Sequence, residues 1–311
     1  MTRTSTTPTL RGALTALVTP FQRDGSLDEA AFRQLVSWQL MAGIDGLVPC
    51  GTTGESPTLS TDEREALIGI AVEAARNARG RERVTVLAGT GTNDTAATIE
   101  ATRRAAALGA DAALVVAPYY NRPDQRMLEA HYRAVADDGA LPVVVYNVPS
   151  RTGTNVEAAT LLRLAEHPRI VGTKEASANL DQIATILRDR PDGFSVLAGD
   201  DAWTLTVLAH GGDGVVSVAS NEIPSQMVAL CAAARVGDWE EARRIHERYL
   251  DLFRVNFISP NPVPAKAALA AMGLMTDMVR QPLLPLADEQ RARVLSVLDA
   301  CGLLRAEVAV A

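Results

Sequence analysis

Ile170-Val171-Gly172-Thr173-Lys174-Glu175-Ala176 is the stretch on which the reading of this chain turns. A short apolar run, read as a buried strand, ends in a single lysine and gives way to small and polar residues. Such a lysine can keep its stem in the interior and hold its amine in a cleft. An amine attacks a ketone only when neutral, and a free lysine, with a pKa of about 10.4, is nearly all ammonium at neutral pH. Desolvation or neighbouring cations lower that pKa, which is how Schiff-base lysines are made. Taken alone, the stretch fits better a strand-end lysine that snorkels to water. The rest of the chain decides between the two.

Similar apolar runs occur at 14–18, 46–48, 84–88, 112–116, 143–146, 194–198 and 214–218. They are short and several are valine-rich, as strands buried on both faces are. Between most of them, residues 27–42, 61–79, 95–108, 125–137, 155–166, 178–188 and 201–210 carry apolar side chains at helical spacing. Ser60-Thr61-Asp62-Glu63 and Asn93-Asp94 supply capping side chains. Alternation of this kind predicts an α/β fold with a parallel sheet, and its length favours a (β/α)8 TIM barrel over an open sheet. The catalytic domain is expected at 11–223, after a disordered leader at 1–10. From 224 to 311 the pattern is helical only, with helices expected at 226–235, 239–253, 264–272 and 288–301, and reads as a C-terminal helical appendage.

Composition narrows the function classes. The 311 residues are 47% hydrophobic and 22% charged, which describes a globular chain. A formal charge of −7 and only 4% aromatic residues argue against a nucleic-acid surface. Cys50, Cys231 and Cys301 lie far apart, and an odd set without CxxC pairs suits a reducing cytoplasm. His131, His167, His210 and His246 lack ligand spacing, so no protein-held metal is expected. No apolar run approaches the ~18 residues that would span a bilayer, so no membrane partner is expected.

A barrel of this kind places its chemistry in the loops after the strands. Those loops contain Cys50-Gly51-Thr52-Thr53-Gly54-Glu55-Ser56, Pro118-Tyr119-Tyr120-Asn121-Arg122-Pro123 and Tyr146-Asn147-Val148-Pro149-Ser150-Arg151-Thr152-Gly153. Hydroxyls and backbone N–H groups in a Gly-bracketed turn can hold a carboxylate. Tyrosines relay protons, and an arginine grips a carboxylate with two points of contact. Of the chain's five tyrosines, three (Tyr119, Tyr120, Tyr146) fall in such places. Gly89-Thr90-Gly91-Thr92-Asn93-Asp94 matches neither a dinucleotide fingerprint nor a phosphate loop. With Lys174, Gly199-Asp200-Asp201 and Val216-Ser217, these segments converge on one mouth and point to an imine-forming lyase or aldolase.

From Gly12 to Leu286 the chain resembles the pyruvate-dependent class I aldolase superfamily and, within it, the dihydrodipicolinate synthases. The resemblance is carried by GTTGE (51–55), PYYNRP (118–123), YNVPSRTG (146–153), GTKEAS (172–177), AGDD (198–201), GVVSVASN (214–221) and NPVPAK (261–266). It implies that Lys174 forms an imine with pyruvate and that Tyr146 shuttles protons, relayed by Thr52 and by Tyr120, whose counterpart comes from a neighbouring subunit. It further implies that Thr53 holds the pyruvate carboxylate, that Arg151 binds the carboxylate of L-aspartate-4-semialdehyde, and that backbone groups at Gly199 and Val216 line the pocket. No cofactor is implied, since the imine stabilises the carbanion, and a homo-oligomer (a dimer or a dimer of dimers) is.

Two departures stand out. Glu222 replaces an apolar residue just past the eighth strand, near the expected pocket mouth. It is the best argument for an alternative within the superfamily, a sugar-acid or 4-hydroxy-2-oxo-acid aldolase or a lyase resembling N-acetylneuraminate lyase. A non-catalytic homologue is a third reading, against which stands the complete set Lys174, Tyr146, Thr52 and Tyr120. The positions matching the lysine-effector site of inhibited relatives are Ser56, Pro57, Thr61, Arg64, Asn93, Ala97 and Tyr119. Ala97 stands where a glutamate would bind the effector's ammonium, a contact worth about 1.5–3 kcal/mol. Weak or absent feedback inhibition by lysine is therefore expected.

Overall fold

Eight short strands form in the order of the apolar runs: Gly12–Ala16 (β1), Gly46–Val48 (β2), Thr85–Gly89 (β3), Ala112–Val116 (β4), Val143–Asn147 (β5), Ile170–Glu175 (β6), Ser195–Ala198 (β7) and Gly214–Ser217 (β8). Each pairs in parallel with the next, and β1 pairs with β8, closing the barrel that the alternation predicts. The structure, a computed structural model, describes residues 10–78 and 84–304. Most of the expected leader lies outside the described residues. Leu10, its last position, is buried with Leu14, Val144 and Leu197 in the barrel interior, so the packed chain begins before residue 11.

Both strand faces are apolar for distinct reasons. Leu87, Leu114, Val144, Leu197 and Val216 fill the barrel, while Val86, Val115, Val145, Val196 and Val215 face the helices. The helices are Glu29–Met41 (α1), Thr61–Asn77 (α2), Thr95–Leu108 (α3), Gln125–Asp138 (α4), Pro149–Thr152 (α5), Ala158–Ala165 (α6), Leu180–Asp189 (α7), Thr204–Ala209 (α8) and Pro224–Arg235 (α9). Ser60 and Glu63 form a reciprocal capping box on α2, and Asp94 caps α3. The single-turn α5 was not legible as a helix. The helix expected from Asn155 begins only at Ala158, because Asn155 and Val156 are engaged with Asn147.

The helical appendage expected from 224 begins later. α9 packs on β1 and β8, where the eighth barrel helix belongs. The added layer is Trp239–Val255 (α10), Val263–Ala271 (α11) and Asp288–Cys301 (α12). α10 packs on α8, α9 and the turn at 201–203, so this layer lies against the end of the barrel where the strands finish. Among the described residues, no helix is long and apolar enough to cross a membrane.

Candidate active site

Strict alternation along β6 would turn Glu175 rather than Lys174 into the barrel. Ile170 pairs with Val143 on the helix-facing side, but Val144 pairs with Gly172, so the register shifts by one residue. Val171 and Gly172 thus both occupy the inner side, and Lys174 follows there, directly opposite Tyr146. A bulge re-aims side chains in this way. Glycine is required at the shift, since a Cβ on Gly172 would lie 2.6 Å from the Ser195 carbonyl oxygen.

The consequence is a close pair. Lys174 Nζ stands 4.3 Å from the centroid of the Tyr146 ring, and both residues are buried. Glu175, turned outward, ties the two strand ends together. It accepts from Asn147 Nδ2 at 3.1 Å and from the Ser177 N–H at 2.8 Å. Burial raises its carboxyl above the ordinary range, and these donors pull it back. Burial likewise raises Asp200, which the Ala202 N–H and then the nearby Lys174 draw down. Asn147, Glu175 and Gln182 were given no role from the sequence. For Asn147 and Glu175 the signal was present inside YNVPSRTG and GTKEAS, but polar residues at strand ends are ordinary without their partners. Gln182 lies outside both segments, on α7.

Beside this pair is a cavity of about 230 Å³ whose wall includes Thr52, Ser56, Arg64, Tyr119, Tyr146 and Arg151. The 51–56 turn is closed by its own bonds from the N–H groups of Gly54, Glu55 and Ser56. Among the described residues, the N–H groups of Thr52 and Thr53 donate to no protein acceptor. Two consecutive free donors beside a hydroxyl make a compact anion cradle. Gly89 crosses behind the turn, where a Cβ would meet the Cys50 carbonyl oxygen at 2.2 Å.

Tyr146, Thr52 and Arg151 share the cavity wall, and Lys174, not itself in that wall, adjoins it through Tyr146; the others stand apart. Tyr120 is 89% exposed, at φ +74°, and is not in its own chain's cavity wall. Thr53 is buried beneath the wall and accepts from Asn261 Nδ2 at 2.9 Å. Val216 belongs to the packed barrel interior, and Gly199 closes the β6–β7 seam by donating to the Glu175 carbonyl at 2.8 Å. Neither lines the cavity. Asn261, Glu55 and Lys266, also unassigned from the sequence, meet under the turn.

Glu222 is not at the pocket mouth. It is 1% exposed, its Oε2 accepts at 3.1 Å from Nδ2 of Asn256, the residue that caps the C-terminus of α10, and burial raises its carboxyl well above the ordinary range. It faces the helical layer and not the cavity, which removes the main argument for a different aldehyde. At the positions matching the effector site, the Arg64 guanidinium bonds Ser56 Oγ at 2.7 Å and also the Ser56 carbonyl. Thr61, Arg64 and Ala97 border a second cavity of about 390 Å³.

Comparison with known proteins agrees with this geometry. A family model described as the dihydrodipicolinate synthetase family matches residues 9–301. A 4-hydroxy-tetrahydrodipicolinate synthase of Chlorobium limicola is 48% identical over 95% of this chain and 98% of its own. One from Koribacter versatilis is also 48% identical, over 95% and 97%. The crystal structure of a dihydrodipicolinate synthase from Thermotoga maritima superposes with a TM-score of 0.92 at 41% identity, covering 96% of this chain and all of that one. On its closed barrel, its paired lysine and tyrosine and these matches, the chain belongs to the dihydrodipicolinate synthetase family.

Proposed function

We propose that this protein is a Schiff-base lyase that condenses pyruvate with L-aspartate-4-semialdehyde to 4-hydroxy-tetrahydrodipicolinate, a reaction of lysine and diaminopimelate biosynthesis. The observation that carries the residue assignment is the Lys174–Tyr146 pair beside a cavity bordered by Thr52 and Arg151. Lys174 adds to the pyruvate ketone and expels water, leaving an imine. The protonated imine withdraws electrons, so a methyl proton is lost and an enamine forms. The enamine carbon attacks the aldehyde, and the amine of the semialdehyde then displaces Lys174 and closes the ring. Tyr146, packed against the lysine amine, moves protons at the imine, with Thr52 next in the relay. The free N–H groups at Thr52 and Thr53 hold the pyruvate carboxylate.

Arg151, itself exposed on α5, borders the cavity, where it can meet the second substrate's carboxylate. Tyr120 completes the relay from a second copy of the chain, a role supported by its exposure and its absence from its own cavity. The protein therefore works as a homo-oligomer of at least two chains. Its three free cysteines accord with a cytoplasmic location.

The test is the pyruvate-dependent condensation rate with aspartate semialdehyde, N-acetylmannosamine, glyceraldehyde and glyoxylate, with Lys174→Ala as the blank. Aspartate semialdehyde is expected to dominate. Arg151→Ala, which loses a charge-assisted contact of about 1.5–3 kcal/mol, should lower kcat/KM for it by about 10- to 100-fold. Preference for another aldehyde would refute the substrate assignment and leave the imine chemistry standing.

A further inference from the structure

Three consecutive residues of the 51–56 turn are gripped from the side away from the cavity, each by a different partner. Asn261 Nδ2 donates to Thr53 Oγ1 at 2.9 Å, and the Thr19 hydroxyl donates to the Gly54 carbonyl at 2.7 Å. Glu55 Oε1 accepts from the Lys266 ammonium at 2.7 Å, and Oε2 from the Arg280 N–H at 2.9 Å. Lys266 Nζ also donates to the Thr19 carbonyl at 2.8 Å and lies 4.3 Å from the Phe21 ring centroid. Asn261 and Lys266 belong to one short segment that enters α11, so a single piece of the helical layer holds the turn at two points.

The ion pair is almost dry, with side-chain exposures of 0% for Lys266 and 1% for Glu55. Buried pairs of this kind contribute little net stability over well-packed apolar residues, and their better-attested use is to fix one geometry. Here there is a geometry to fix. Glu55 sits at φ +52° and Cys50 at φ +59°, left-handed conformations that side chains adopt only when their surroundings hold them there. Thr52 of the same turn lines the cavity, and its N–H and that of Thr53 behind it are the two free donors.

We propose that Asn261 and Lys266 are positioning residues for the carboxylate cradle, Lys266 acting through Glu55 and Asn261 through Thr53. The proposal rests on the assignment of this turn as the holder of the pyruvate carboxylate. That carboxylate is bound in the ground state and remains bound through the chemistry. A displaced cradle therefore raises the half-saturating pyruvate concentration more than it lowers kcat.

The experiment measures half-saturation by pyruvate, from borohydride trapping and from steady-state rates, in wild type, Lys266→Met, Glu55→Gln/Lys266→Met and Asn261→Ala. The double variant leaves no unpaired carboxylate, and Asn261→Ala removes no charge, so a folded variant remains if Lys266→Met is unstable. Half-saturation is expected to rise by about tenfold or more, with kcat changed by less than about threefold. Folded variants with a lower melting temperature and wild-type half-saturation would overturn the positioning role. Absence of any trapping in the wild type would instead overturn the functional assignment, and this role with it.

Discussion

Two lysines are buried in this molecule, and their surroundings set them apart. The Lys266 amine is committed to Glu55 and to a backbone carbonyl. Burial pushes its pKa down, and the Glu55 carboxylate pulls it back up. A charge held in this way is a poor nucleophile. Lys174 has no carboxylate partner at ion-pair distance among the described residues and rests on the Tyr146 ring. The amine at the end of the GTKEAS strand was legible in the sequence because an apolar run ending in lysine is itself a local pattern. Its contrast with Lys266 was not, since Glu55 and Lys266 are 211 positions apart. The buried position of Glu222 was likewise not legible, because its partner Asn256 caps a helix whose packing the sequence does not state.

At the scale of the element, the bulge in β6 is the decisive feature. The alternation of apolar residues showed where the strand is but not which of its last residues turns inward. Register belongs to the pair of strands, and a one-residue slip exchanges the two faces. Here the slip at Gly172 turns Lys174 inward and puts Glu175 on the Asn147 side. Gly172→Ala must move either its own strand or the Ser195 carbonyl 2.6 Å from its new Cβ. Misplacement of a reacting group by about 1 Å can cost on the order of 10²-fold. Gly172→Ala is therefore expected to lower the rate of imine formation by about 10- to 100-fold while keeping its circular-dichroism spectrum. A wild-type rate in the folded variant would show that the register shift does not place the lysine.

At the scale of the whole molecule, the helical layer is bound to the barrel by polar groups that are individually buried. Besides the Lys266–Glu55 contact, Glu222 meets Asn256 at the C-terminal cap of α10, and the other ionisable groups that influence Glu222 or sense it are Asp201 and Cys301. Glu222 Oε1 and Asn256 Oδ1 lack partners among the described residues. A proton on Oε1 would satisfy both. Burial pushes Asp201 up to about 6 and Glu222 well above its ordinary value. Above about pH 4 the unfolded chain releases these protons while the folded chain keeps them. Stability from this source is therefore full in acid and falls by about 1.4 kcal/mol per pH unit and per group, until the folded group ionises too. Glutamine at 222 stays neutral and offers an N–H to Asn256. Thermal melts from pH 5 to 9 should show Glu222→Gln losing less stability above pH 6 than wild type and exceeding it at pH 9. Parallel curves would contradict the protonated clasp.

The barrel as a whole was readable because eight similar repeats reinforce one another, whereas the extent of the helical layer was misplaced because α9 and the helices after it share one pattern. The central claim, that the β6 bulge makes Lys174 the imine lysine, is tested most directly by peptide mapping after borohydride reduction in pyruvate. A reduced pyruvyl adduct on the peptide containing Lys174, and none on Lys266, is the predicted result. An adduct on another lysine, or no adduct at all, would contradict it.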